Sequence, residues 1–121
     1  MPQRIRSHGD LEVWQRSMDL AVDIYRISDR FPLSERFGLT TQIRRAAVSI
    51  PSNISEGAAR SGPREFHRFV SIARGSAAEL ETLLEISERL EFAQAAVFTN
   101  SRSLLEESSK MLTMLRRKLA R

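Results

Sequence analysis

Apolar positions recur along this chain at helical spacing, in four segments separated by short polar or proline-containing breaks. In the first, Leu11, Trp14, Met18, Ala21 and Tyr25 advance by alternating steps of three and four, the signature of a heptad seam. Val13, Leu20, Ile24, Ile27 and Phe31 form a second stripe on the same segment. The pattern predicts a helix from about Leu11 to Arg30, with Asp10 as N-cap and Glu12 placing negative charge in the first turn. Two stripes give a wide apolar face. Either a bundle core takes all of it, or one stripe faces another subunit.

Phe31-Pro32 ends this segment, because a residue before proline avoids the helical region. A second helix is expected from Ser34 to Arg60, with Leu39, Ile43, Ala46, Ile50, Ile54 and Gly57 inward. Pro51 lies inside it, removes the hydrogen bond to the Ala47 carbonyl and should kink the helix. Asn53 falls on the inward seam, where it would satisfy freed backbone groups or pair across helices. Ser61-Gly62-Pro63 is the next break, and Pro63 suits a first helical position.

A third helix then runs to about Leu90, along Phe66, Phe69, Ala73, Ser76, Leu80, Leu83, Ser87 and Leu90, a rod of roughly 42 Å. The small residues at 73–78 should admit a neighbouring backbone such as Ala46-Ala47. Such close packing would offset the helix propensity lost at Gly75, about 1 kcal/mol. After a break at 91–94, a fourth helix is expected from Ala95 to Ala120, with Leu105, Ser108, Leu112, Leu115 and Leu119 as its seam, widened by Val97, Leu104 and Met111. Four long helices with short connections predict an all-α, antiparallel up-and-down four-helix bundle over residues 10–121, preceded by an arm at residues 1–9.

Composition agrees. The chain has 121 residues, of which 41% are apolar and 28% charged, enough for one core without staples. There is no Cys, so disulfides, thiolate metal sites and a Cys nucleophile are excluded. No apolar run approaches the ~20 residues of a membrane span, and MPQRIRSHGD lacks the apolar stretch of a signal peptide. A cytoplasmic protein is expected.

Charge adds a functional lead. The net charge is +4, and only Lys110 and Lys118 are lysines; the other basic residues are arginine. A planar guanidinium matches phosphate, although a GC-rich genome would produce the same bias. Arg44 and Arg45 fall at outward positions of the second helix, and Arg60 and Arg64 flank the turn into the third. Arg68 and Arg74 lie off the third seam; Arg116, Arg117, Lys118 and Arg121 crowd the end of the fourth helix. These, apart from Arg121, are the nine candidate nucleic-acid-binding residues. The terminal cluster could equally complement a helix dipole, and Glu65, Glu79 and Glu81 could neutralise part of the third helix.

Chemistry beyond charge is sparse. GxxxxGK[ST] and GxGxxG are absent. His8 and His67 form no metal-binding pair, and no ExxH motif occurs. Glu56 and Glu79, near the inner faces of the second and third helices, could form a carboxylate pair, but each is better placed to meet an arginine. No catalytic residue, metal site, cofactor or small-molecule substrate is expected. Phe66 and Phe69 read as buried, which leaves no aromatic platform for single-strand recognition.

LEVWQRSMDLAVDIY (11–25), RFGLTTQIRRAAVSIPSNISEGAAR (36–60) and FVSIARGSAAELET (69–82) resemble a bacterial family. Its members are the four-helix-bundle proteins encoded in intervening sequences of 23S ribosomal RNA genes, with a related branch of accessory proteins of diversity-generating retroelements. SIPSNISEG and IARGSAAEL carry the resemblance most specifically; the fourth helix shares only SKML (109–112) and a basic ending. The resemblance implies a homopentamer with a central channel and a basic surface, and, in the retroelement branch, RNA and reverse transcriptase as partners. It supplies no catalytic residues. Arg44, Arg45, Pro51, Asn53, Glu56, Gly57, Arg74, Gly75 and Glu79 match the family pattern. The expectation is a non-enzymatic homo-oligomeric scaffold for structured RNA. The alternative is a protein-interaction adaptor, using the spare stripe of the first or fourth helix.

Overall fold

The computed structural model describes residues 11–120. The expected arm at 1–9, the Asp10 cap and Arg121 lie outside the described residues.

The first helix, α1, spans Glu12–Ser28 and follows an extended Leu11, which occupies the N-cap position. Glu12 in its first turn and Arg26 in its last complement the helix dipole. Its end is tightened by N–H donations from Arg30 to the Ile27 carbonyl and from Phe31 to the Ser28 carbonyl. Phe31 then turns inward against Phe92 and Phe98, with ring centroids 5.5 and 6.2 Å away. A short 3-10 helix at Leu33–Glu35 follows.

The second helix, α2, spans Leu39–Ala59, not Ser34 onward. Gly38 occupies the N-cap position, and Glu35 Oε1 accepts the Leu39 N–H at 3.1 Å. A carboxylate on an otherwise free amide at a helix N-terminus fixes the start there. Pro51 is buried within this helix. Asn53 is half-buried; its Nδ2 donates to the Ser49 carbonyl and to Ser49 Oγ, not to the carbonyl that Pro51 frees.

The third helix, α3, spans Pro63–Arg89 with Pro63 in its first turn. Gly62 supplies the positive φ (86°) of the turn before it. The end is a Schellman closure, in which Phe92 N–H donates to the Ser87 carbonyl and Glu91 N–H to that of Glu88. The left-handed position, usually glycine, holds Glu91 at φ 58°. Residues expected to open the fourth helix form a 3-10 turn at Ala95–Phe98. The fourth helix, α4, spans Thr99–Leu119. No strand occurs among the described residues.

The four helices form a bundle in which α1 meets α2, α2 meets α3, α3 meets α4, and α4 closes back on α1. The α2–α3 contact is the most extensive. Its tightness has two visible causes. Gly57 lies against Phe66 and Phe69, where a Cβ would stand 2.7 Å from Phe69 Cβ. Ser49 Oγ and Ser76 Oγ share a 2.8 Å hydrogen bond. Gly75, expected to be the close-packing glycine, is exposed, and a Cβ there meets nothing within 4 Å.

The two stripes of α1 are buried to different degrees. Val13, Leu20, Ile24, Ile27 and Phe31 are all buried. In the other stripe only Ala21 is buried, while Leu11 and Trp14 are half-buried and Met18 and Tyr25 are exposed. The core of the single chain thus takes the whole of one stripe and Ala21, Leu11 and Trp14 of the other, and leaves Met18 and Tyr25 outside. No helix among the described residues is long and apolar enough to cross a membrane.

Candidate nucleic-acid interface

The helix pairing distributes eight of the nine candidate cations over two ends of the bundle. Arg44 and Arg45, in the first turns of α2, lie beside the end of α1, since Arg44 Nη2 reaches Asp29 Oδ1 at 2.9 Å. Arg60, Arg64 and Arg68 lie around the α2–α3 turn. Arg116 Nε donates to Ser71 Oγ at 3.0 Å, which brings the end of α4, with Arg117 and Lys118, to the first turns of α3. Arg74 stands further along α3. The structure does not gather them into one site.

Nor are they equally free to meet an anion. Arg44 is half-buried and bonded three ways, to Ser28 Oγ (2.8 Å), the Tyr25 carbonyl (3.3 Å) and Asp29. Its guanidinium also stands 4.6 Å from the centroid of the Tyr25 ring. It ties α1 to α2. Arg60 pairs with Glu56 at 2.8 Å and Arg68 with Glu65 at 3.1 Å. Both lie over the ring of Phe69, at 5.2 and 4.5 Å, so two cations share one aromatic ring. The hydrogen bond from Arg68 holds the Glu65 carboxyl below its usual range.

Arg45, Arg64, Arg74, Arg117 and Lys118 remain. Their side chains make no hydrogen bond, ion pair or ring contact among the described residues. Two further arginines share that state and are not among the candidates drawn from the sequence: Arg26 and Arg30, both exposed near the end of α1. Their signal is present there, since both fall outside the two stripes of α1. Arg26, Arg30 and Arg45 cluster at one end of the bundle; Arg64, Arg117 and Lys118 lie at the other.

The remaining acidic and aromatic groups are also placed. Glu56 and Glu79 are exposed, not inward, and Glu56 is engaged by Arg60. No group of three or more His, Asp or Glu among the described residues could hold a metal ion. Phe69 is buried, as expected, whereas Phe66 is only half-buried, and aromatic surface is not missing. Tyr25 is 45% exposed and Phe37 85%. Each carries an arginine on its ring, Arg44 on Tyr25 and Arg36 on Phe37 at 4.8 Å.

Residues 9–114 match the family described as 23S rRNA-intervening sequence protein. The chain is also similar to a solved structure from Bacteroides thetaiotaomicron, described as a protein with unknown function from the S23 ribosomal protein family. The TM-score is 0.78 and the identity 26%, over 86% of this chain and 97% of that one. No curated protein matches the chain. An all-helical bundle, the SIPSNISEG and IARGSAAEL segments and a match over nearly the whole length converge: the chain belongs to the 23S rRNA-intervening sequence protein family.

Proposed function

We propose that this protein is a non-enzymatic, homo-oligomeric scaffold of the cytoplasm that binds structured RNA through its uncommitted arginines. One observation carries the reading. Among the described residues, seven exposed or half-buried cations have no hydrogen-bond, ion-pair or ring partner, whereas only four carboxylates, Asp19, Glu79, Glu81 and Glu91, are left without a hydrogen-bond or ion-pair partner. Free guanidinium groups on a rigid bundle neutralise phosphates with little base readout, and the affinity falls steeply with salt.

The antiparallel up-and-down course and a bend at Pro51 belong to the same reading. Pairings of Ser49 with Ser76, Gly57 with Phe69, and Asp23 with Ser101 support the first. A missing amide at the buried Pro51 inside α2 supports the second.

Self-association is supported by a second row on α3, and the pentamer by the family resemblance alone. Ile72, Gly75, Glu79, Thr82 and Ile86 advance at heptad spacing, and all are exposed. Gly75 has no packing reason within its own chain, and a subunit backbone approaching there would supply one. Repetition of the basic surface around an oligomer would raise affinity by avidity.

The test is RNA binding across a salt series, with mass in solution measured alongside. Arg26→Glu/Arg45→Glu and Arg64→Glu/Arg117→Glu should each weaken binding and flatten its salt dependence. Each phosphate that is no longer neutralised should lower the log–log slope by roughly 0.7–0.9. Ile72→Glu/Ile86→Glu should reduce the mass. Absence of RNA binding at low salt would overturn the scaffold. A protein adaptor would then be favoured by Leu33 and Phe37, apolar side chains each 85% exposed at one end of the bundle.

A further inference from the structure

Two shallow clefts flank the stacked pair Tyr25 and Arg44, and both use that pair as a wall. One, of about 370 Å³, is completed by Ala21, Val22, Arg26 and Asp29. The other, of about 420 Å³, is completed by Thr41, Arg45, Val48 and Ser49. Each is at the small end of the range for ligand sites, ~300–1,000 Å³.

Each cleft combines the same three kinds of surface. There is a flat π face at the wall, since Tyr25 is exposed and the Arg44 guanidinium lies over its ring. There is an apolar floor, Val22 on one side and Val48 on the other. There is also one cation without a partner among the described residues, Arg26 in the first cleft and Arg45 in the second. Ser28, Asp29 and the Tyr25 carbonyl already hold Arg44 in place, so little ordering remains to be lost when a ligand stacks there.

We propose that this pair of clefts takes unpaired nucleotides of an RNA strand, with bases stacked against the Tyr25–Arg44 wall and phosphates on Arg26 and Arg45. A duplex hides its base faces within its own stack and cannot use the wall; a loop, bulge or end can. The proposal rests on the RNA reading above and narrows it. Arginines elsewhere on the bundle bind any phosphate backbone, and this end selects the unpaired part.

The experiment compares the affinities of the wild-type protein for an adenine-rich RNA strand of roughly ten nucleotides and for an RNA duplex of the same length. Salt is matched, and mass in solution is measured for every variant. The strand should bind more tightly. Tyr25→Ala and Tyr25→Leu should each weaken strand binding about tenfold and leave duplex binding unchanged. Tyr25→Phe, which keeps the ring, should bind both as the wild type does. Strand binding within twofold of wild type in Tyr25→Ala, or equal losses on strand and duplex, would overturn the site while leaving the scaffold reading standing. A change of mass in Tyr25→Ala, with RNA binding lost in proportion, would overturn it too and make a second copy of the chain the occupant. No binding of either RNA to the wild type would overturn both readings.

Discussion

Gly57 and Phe69 bring the backbone of α2 onto a side chain of α3, so closely that an added methyl at Gly57 would stand 2.7 Å from Phe69 Cβ and 3.0 Å from Phe66 Cδ1. The Phe69 atom is a Cβ, fixed to its own helix, and cannot swing aside. Gly57→Ala should therefore destabilise the protein by about 1–3 kcal/mol, as overpacking does. Gly75→Ala is the control. Nothing opposes a methyl there, and alanine restores helix propensity, so a gain of up to about 1 kcal/mol is expected in the isolated chain. Denaturant midpoints of both variants measure the contrast; equal shifts would mean the two glycines are interchangeable.

The end of α3 is held in a left-handed turn by a residue with a side chain. Glu91, at φ 58°, occupies the position that glycine adopts without steric cost. Among the described residues its carboxylate has no partner that would offset the strain. Glu91→Gly should raise stability by roughly 0.5–1 kcal/mol, after the greater freedom of glycine in the unfolded chain is set against the relief. Thermal unfolding would read this, and a loss of stability would show that Glu91 is held by more than its backbone.

Acid should loosen the contact between α3 and α4. Glu85 accepts hydrogen bonds from Arg89 and Arg102, and these hold its carboxyl below the ordinary value of 4.5. Burial acts to lower Arg102, but its bonds to Glu88 and Glu85 outweigh this and raise it, so the arginine stays charged throughout. A carboxyl lowered by folding binds fewer protons in the folded state than in the unfolded one. Its contribution is thus complete above about pH 4.5–5 and is lost as pH falls through the lowered value. Unfolding by urea at a series of pH values should show stability falling on that acid side. Glu85→Gln should flatten part of the fall, and Glu65→Gln another part, since Arg68 acts on Glu65 in the same direction. An unchanged profile in both variants would assign the acid sensitivity elsewhere.

Most of the helical architecture is legible in spacing, because the buried positions at Ile43, Ala46, Ile50, Ile54 and Gly57 are the apolar periodic ones. The start of α2 is not. Glu35 caps it from outside the helix, through a contact that depends on the 3-10 turn between them. Nor can the glycines be told apart, since Gly57 and Gly75 sit in similar small-residue surroundings in sequence and differ only in what faces them in space. Sequence places the arginines but does not weigh them. Arg44, Arg60 and Arg68 are drawn into pairs and onto Tyr25 or Phe69 by their neighbours in the fold. Arg26 and Arg30 meet no such neighbour among the described residues. Spacing puts Tyr25 on a seam, whereas its place at the outer edge of the α1–α2 contact makes it surface.

The closure of α4 onto α1 has a consequence for connectivity. Leu11, Glu12 and Val13 share one cleft with Met111, Leu115, Arg117 and Lys118, so the first and last helices begin and finish at the same pole. In space the four helices form a cycle with no preferred starting point, and the order of the chain is only one way of walking round it. A short linker from the end of α4 to the start of α1, with the chain reopened in the 91–94 segment, would present the same cycle in a rotated order. Such a permutant would keep every helix contact and both clefts at Tyr25. The new break would lie at the pole where Phe92 and Phe98 pack on Phe31.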